Sequence, residues 1–324
     1  MKDFKAVILT FYMLFFSILL FSQDNKNYIS YHQTCRKAEH YFIDSNYRQC
    51  IQTYDSLFKK YDFLFPRDCF TAAQLANKIG DDSMAVVFLK KGVPFGLNAD
   101  MFIKTDTALQ IHKIYDSKYW INYKRDYDSL RKLYVNRVDW NLKKKIEEMV
   151  SLDQQIRIKN NKWFNRIFRK GLENDFNIVN QKHIAFLDSV FKIKGYPGIW
   201  LTGVGDSSNG SFNYNGNLSE IFFVILYHYD SAYVKFGDFL RKEIETGHIH
   251  PRVYAMTRDF QDRWSGKREK HQEMYYNIWW EKANYTKKEY AQHCHDIGCP
   301  TKNLLRGLFR AGGYNTDFYW WPFR

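Results

Sequence analysis

The chain has 324 residues, of which 45% are apolar, and it carries a formal net charge of +13. This apolar content is sufficient for a packed core and excludes a globally disordered chain. Because Lys and Arg are spread along the sequence and no DNA- or RNA-binding motif accompanies them, we expect no nucleic-acid partner, although the charge suits an anionic glycan.

The N-terminal segment has the pattern of an export signal. Lys2 and Lys5 precede sixteen uncharged residues, 6–21, and polar sequence follows at once. A helix of sixteen residues is about 24 Å long, which is shorter than the roughly 30 Å of membrane hydrocarbon. We therefore predict that residues 1–22 are a signal peptide and that the protein is exported, as a periplasmic, envelope-associated or secreted protein. Retention as an N-terminal anchor is the alternative. No later apolar stretch is long enough to span a membrane.

Residues 24–117 show an internal repeat with an offset of thirty-four. This offset aligns Ala38 with Ala72 and Ile51 with Ala85, and the breaks between the predicted helices align as well. Thirty-four residues is the period of the tetratricopeptide repeat, a helix–turn–helix unit, and the region resembles two degenerate repeats of that kind. Such hairpins predict either a groove for a protein or peptide partner or a helical scaffold without a ligand.

The remaining chain also has mainly helical patterns. Apolar residues recur every three or four positions over residues 118–159, which predicts one or two long helices and a connecting helix over residues 118–150. Further helices are predicted at 181–194, 232–245 and 252–263, and residues 199–204 are expected to form a short strand or extended segment. The predicted fold is thus mostly α, with tetratricopeptide-like hairpins followed by a helical C-terminal domain with little or no strand.

Several short motifs follow one another in the second half. They are Asp153-Gln154-Gln155-Ile156-Arg157, Gly195-Tyr196-Pro197, Tyr227-His228-Tyr229-Asp230, Glu243 to Gly247, and Tyr254-Ala255 with Asp259. Their order resembles a bacterial family of unknown function with the pattern D-Q-x-x-R, G-W-P, H-A-D and A-Y-L-x-D-R, which often follows tetratricopeptide-like helices in exported proteins. The resemblance implies a domain over residues 151–277, followed by an aromatic extension over 278–324. It implies architecture and no particular chemistry.

His228 is the strongest candidate for a catalytic residue. It follows an apolar stretch predicted to be a buried helix, and Asp230 lies two residues further on. A His next to a carboxylate can act as a general base, with Asp230 or Asp259 as its partner. The alternative interpretation is a helix-terminal His and a capping Asp.

Asp153, Arg157 and Glu220 form a second candidate polar cluster. The first two are four residues apart on a predicted helix, a spacing that usually gives a surface ion pair. Glu220 shares a helix face with His228 by spacing. The three residues become a site only if they line the same cleft as His228.

The five cysteines are Cys35, Cys50, Cys69, Cys294 and Cys299. In an oxidising compartment Cys294 and Cys299 are close enough in sequence for a local disulfide, and Cys35 could meet Cys50 across a hairpin, but spacing alone leaves the pairing open. Cys294 lies between His293 and His295, but the spacing is not that of a standard zinc site. We predict no metal and no cofactor.

The sequence leaves the function open between three alternatives. The absence of a recognisable catalytic motif, together with the repeats, favours an exported binding or scaffold protein. A hydrolase-type enzyme that uses His228 with Asp230 or Asp259 is the rival. The third is a carbohydrate-binding surface built from Trp279, Trp280 and the aromatic residues of 318–323.

Overall fold

The first four helices of the chain pair as two hairpins. The computed structural model describes residues 26–98, 111–161, 169–204, 223–227, 229, 231–264, 275–276 and 288–312. In it, α1 (Tyr28–Ile43) packs against α2 (Tyr47–Lys60), and α3 (Pro66–Lys78) packs against α4 (Asp82–Gly92). Alanines line the contacts and allow the helices to approach closely, and the buried ones are Ala38, Ala72, Ala73, Ala76 and Ala85.

Both hairpin turns use left-handed backbone. Ser45 has a φ of 60° after α1, and Gly80 has a φ of +82° after α3. The predicted helical hairpins and the aligned breaks between them are confirmed, whereas the type of repeat remains a prediction.

The other helices follow in chain order. They are α5 (Trp120–Arg137), α6 (Trp140–Asn161), α7 (Arg169–Lys194), α8 (Ile199–Thr202), α9 (Phe223–Tyr227), α10 (Ala232–Glu245), α11 (Pro251–Trp264), α12 (Lys288–Ile297) and α13 (Lys302–Gly312), with 3-10 helices at Val93–Phe95 and Ile111–Asp116. The regular structure of the described residues is entirely helical, so the predicted mostly α fold is confirmed. The domain boundaries remain a prediction.

The expected strand at 199–204 is wrong, because this segment begins with the short helix α8. Gly198 precedes the helix, and the Thr202 hydroxyl donates to the Pro197 carbonyl at 2.9 Å, so polar side chains close the turn locally. Gly203 then has a φ of +73°, and a Cβ there would meet the Tyr134 hydroxyl. The apolar run Ile199-Trp200-Leu201 resembles a strand in sequence because α8, with only four residues, is too short to show a helical period.

The long helical stretch after residue 118 is two helices, divided at Val138 and Asp139. Asp139 starts α6, because its carboxylate accepts from the Leu142 N–H at 3.0 Å. Its own N–H donates to the Leu201 carbonyl at 2.9 Å. The break therefore attaches the α5–α6 corner to α8.

Arg137 strengthens the same attachment. Its guanidinium donates to the carbonyls of Ile199 and Trp200 and lies 5.5 Å from the ring centres of Phe63 and Phe95. Burial lowers the pKa of Arg137 to about 10. A side chain of α5 thus joins the hairpin region to the second half.

Helix α1 contacts helices from both halves of the chain. Besides α2, it contacts α10, α12 and α13, which come from the second half and the C-terminal region. Leu304 and Leu308 of α13 belong to the hydrophobic core of the hairpins, while Ile29 of α1 belongs to the core of the second half. Because one helix contributes to both cores, we describe α1 as the shared helix.

Candidate functional site

Two of the three predicted catalytic residues, His228 and Asp230, lie outside the described residues. The third, Asp259 on α11, is completely buried, and its Oδ1 accepts from the Tyr276 N–H at 2.7 Å. Its charge also contributes to raising the pKa of Cys294, behind the hydrogen bond to Cys299 and burial. In this position Asp259 anchors the backbone at residue 276 inside the domain.

The second predicted cluster is described only in part. Asp153 is buried, and the Gln154 side-chain amide donates to its Oδ2 at 2.9 Å. Glu220 lies outside the described residues, and Arg157 lies on α6 without a described side chain. The proposed common cleft with His228 therefore stays a prediction.

Asp153 has neighbours on α7 instead. Burial lowers the pKa of His183, and the nearby charge of Asp153 partly opposes that shift. Asn180, one turn earlier on α7, is buried as well. The helices α6 and α7 thus bring a buried carboxylate near a buried imidazole, and α9 packs against both helices.

A carboxylate–imidazole pair links two of the sequence motifs. Glu243 Oε2 is 2.9 Å from His248 Nδ1 and accepts from the Tyr196 N–H at 2.7 Å. The Glu243 side chain is 11% exposed and that of His248 is 29% exposed. The His248 ring stacks on Trp200 with a centroid separation of 4.1 Å. The carboxylate therefore orients the imidazole and leaves its other nitrogen directed away from Glu243, as general-base catalysis requires.

The segment around His248 could have been singled out from the sequence only in part. The motifs around Gly195 and Glu243 stand out in the sequence, but they are too far apart along the chain for the contact between Glu243 and Tyr196 to be predicted. His250, two residues later, has a different role, because its Nδ1 accepts from the Arg252 N–H at 3.2 Å and caps α11. The described residues contain no group of three or more metal-ligating side chains.

The C-terminal His and Cys residues have different contacts. The His293 ring stacks on Tyr275 at 3.8 Å, and its Nδ1 is 3.0 Å from the Tyr275 carbonyl. All five cysteines are free thiols in the structure, so neither pairing suggested by the spacing, Cys35 with Cys50 or Cys294 with Cys299, is formed in it. The Cys294 thiol donates to the Tyr276 carbonyl at 3.8 Å, and its pKa is raised by the neighbouring Cys299 thiol and by burial.

Sequence reasoning missed a buried polar row on α1. The guanidinium of Arg36 lies 3.3 Å from Glu39 of the same helix and 3.5 Å from Asp68 of α3. The His32 ring, one turn earlier, is fully buried beside His250, with ring centres 4.9 Å apart. The spacing of His32, Arg36 and Glu39 places them on one helix face, which was the available signal. The row connects α3 and α11 through the shared helix.

No protein-family model, curated protein or solved structure matches the chain. Among the helices of the described ranges, none has both the length and the apolar character needed to cross a membrane.

Proposed function

We propose that the protein is an exported binding or scaffold protein that recognises a protein partner through the exposed face of α5. The observation that carries the proposal is a row of exposed side chains at helical spacing, continued onto the start of α6. The row, here called the α5 stripe, consists of Ile121, Arg125, Asp128, Lys132, Val135 and Trp140.

The apolar members of the α5 stripe are unusually exposed. Ile121 is 67% exposed, Val135 is 45% exposed and Trp140 is 40% exposed. The Trp140 indole N–H donates to the Val135 carbonyl at 2.9 Å, which places the ring at the end of α5 next to the stripe. Aromatic, apolar and arginine side chains of this kind are enriched where proteins meet.

The charge around the α5 stripe favours an acidic partner. Between residues 120 and 146 the exposed charged side chains are five Lys or Arg and one Asp: Lys124, Arg125, Lys132, Lys144, Lys145 and Asp128. Arg125 already pairs with Asp126, whereas Lys132 and Lys144 are exposed. A partner with an apolar centre and an acidic rim would complement both features, and opposite charge would accelerate its association.

The face of α1 is a poorer candidate for a peptide groove. In a helical repeat array, ligands occupy the surface left between hairpins. Here α10, α12 and α13 of the same chain pack against α1. The hairpins are therefore better suited to support the α5 stripe than to bind a peptide on the shared helix.

Site-directed photo-crosslinking in the producing cell tests the proposed surface. We expect a crosslinker at Val135 to give a discrete adduct that disappears when Lys132→Glu is added, because the charge reversal repels an acidic partner. The matched control is a crosslinker at Val234, an equally apolar residue of α10 that is 77% exposed. Identical adducts from both positions, or no adduct from Val135, would contradict the proposal.

Export is tested independently of binding. The protein recovered from outside the cytoplasm should have the mass of a chain without residues 1–22, because a segment of this pattern is removed during secretion. A protein that keeps these residues and stays in the cytoplasm would refute this part of the proposal.

A second candidate function is hydrolysis, and the Glu243–His248 pair favours it. We expect any turnover of chromogenic ester or phosphate substrates to fall at least about a hundredfold in His248→Gln, the usual range for loss of a general base. His293→Gln is the matched control, since His293 also stacks on an aromatic ring but faces a carbonyl instead of a carboxylate. Turnover that is absent, or equal in both variants, eliminates this candidate.

A further inference from the structure

The end of α12 brings two cysteines together by its backbone geometry. The Cys299 N–H donates to the Cys294 carbonyl at 2.8 Å, and the Gly298 N–H donates to the His295 carbonyl at 3.0 Å. Gly298 between them has a φ of +73°. These two bonds and the left-handed glycine define a Schellman motif, in which the third residue before the helix end contacts the second residue beyond it. In this chain the two contacting residues are Cys294 and Cys299.

Both cysteines are buried, at 3% and 2% exposure. The neighbouring Cys299 thiol is the first cause of the raised pKa of Cys294, and the Cys294 thiol donates to the Tyr276 carbonyl at 3.8 Å. Disulfides join residues with Cα atoms roughly 4.4–6.8 Å apart, a range compatible with two residues that share a backbone hydrogen bond. The backbone hydrogen bond therefore places the two cysteines within reach of an S–S bond.

The same motif rests directly on the shared helix. A Cβ at Gly298 would lie 2.5 Å from the His32 Cβ and 3.0 Å from the Ile29 carbonyl oxygen. The Gln33 side-chain amide donates to the His295 carbonyl at 2.9 Å. A covalent bond across the motif would hold the end of α12 in the one shape that fits against α1.

We propose that Cys294 and Cys299 form a disulfide in the exported protein, which fixes the C-terminal end of α12 against α1. The proposal rests on the export proposed above, since an oxidising compartment is where such bonds persist. The other three cysteines, Cys35, Cys50 and Cys69, are buried among the hairpin helices and remain thiols.

The oxidant is a small-molecule or protein disulfide. One cysteine thiolate attacks a sulfur of the oxidant, which forms a mixed disulfide and releases one thiolate. The second cysteine thiolate then attacks the protein sulfur of the mixed disulfide and displaces the other thiolate. The protein loses two electrons to the oxidant, and the two thiol protons go to the released thiolates. Because both sulfurs are buried in the folded chain, this exchange takes place before α12 docks on α1 or during local opening.

Refolding in a glutathione buffer tests the pair without reference to the cell. The mature chain is unfolded with reductant, refolded with excess oxidised glutathione, quenched in acid and alkylated in denaturant, and its intact mass is measured. We expect three of the five cysteines to be alkylated in the wild type, four of four in Cys294→Ser, and two of four in the control Cys50→Ser. Peptide mapping should connect residues 294 and 299. Five alkylated cysteines in the wild type, or a bond that maps elsewhere, would overturn the proposal.

Thermal unfolding supplies a second measurement. Reductant should lower the Tm of the oxidised wild type by roughly 3–8 °C and leave that of Cys294→Ser unchanged. An equal response of both proteins would show that the bond does not fix α12. A bond that forms during refolding but is absent from the protein taken from cells would refute export while the pairing itself stands.

Discussion

His32 is a fully buried imidazole whose two ring nitrogens have no hydrogen-bond partner among the described residues. Burial lowers its pKa well below the usual value, and the charge of Arg36 lowers it further. Its ring also faces Phe65 and His250. The folded protein therefore holds this residue in its neutral form, and a proton on it would destabilise the contact between α1, α3 and α11.

Because His32 is neutral in the folded protein, the stability of the protein depends on pH. A His whose pKa is lowered in the folded state binds its proton mainly in the unfolded state. Its contribution to the free energy of unfolding is therefore fully present above the unfolded pKa of about 6.5 and is lost as the pH falls below that value. We expect His32 to make the protein about 2 kcal/mol less stable at pH 5 than at pH 7.5. Urea unfolding at both pH values should show a smaller loss in His32→Gln than in the wild type.

The control for this prediction lies on the same helix. His40 is exposed, so His40→Gln should keep the full loss of stability between pH 7.5 and pH 5. A loss that is equal in wild type and His32→Gln would contradict the argument. His183, whose pKa burial also lowers, accounts for a pH dependence that remains in the variant.

At the scale of elements, two glycines show how the same backbone conformation has different consequences. Gly80 has a φ of +82° and Gly298 has a φ of +73°. A Cβ at Gly80 would meet nothing within 4 Å, whereas a Cβ at Gly298 would overlap the backbone and side chain of α1. The turn at Gly80 needs glycine only for its φ, while the motif at Gly298 needs it also for the docking of α12.

We therefore expect Gly80→Ala to destabilise the protein by about 1 kcal/mol, the cost of a left-handed alanine. Gly298→Ala should destabilise it by about 2–5 kcal/mol, because overpacking adds to the same backbone cost. Urea unfolding monitored by helical circular dichroism measures both values. Equal effects of the two substitutions would mean that α12 does not contact α1 as closely as the structure has it.

An element can be predicted from the sequence when the residues that determine it lie within it or directly beside it. α10 lies at the predicted residues 232–245, because its apolar period lies within the segment and Gly247 follows two residues after its end. The hairpin turns were visible for the same reason. α8 was expected as a strand because a four-residue helix closed by Thr202 and Gly203 leaves too short a pattern to recognise.

The candidate site residues were less predictable because their partners are distant in sequence. Glu243 and Tyr196 are separated by 47 residues, and Arg36 and Asp68 by 32. Sequence spacing can suggest which residues share a helix face, as it does for His32 and Arg36, but it cannot indicate which helix covers that face. Asp259 was singled out as a catalytic partner, and only its burial and its bond to Tyr276 indicate an anchoring role.

At the scale of the whole molecule, the shared helix makes the two halves depend on one another. Nine of the sixteen residues of α1 are buried, and they face the hairpins on one side and the C-terminal helices on the other. Arg36 adds a charged contact to α3 that is costly to break, since loss of one partner leaves a buried charge unpaired. We infer that the hairpins do not unfold independently of the second half.

Native-state hydrogen exchange in increasing urea, read at α2 and at α10, tests this claim most directly. We expect the amides of both helices to open with the same free energy. Leu308→Ala, a truncation on the distant helix α13, should lower both by about 2–5 kcal/mol because Leu308 is fully buried in the hairpin core. If α2 opens at lower urea than α10, or if the truncation changes only one of them, the two halves are separate units and the shared-helix account is wrong.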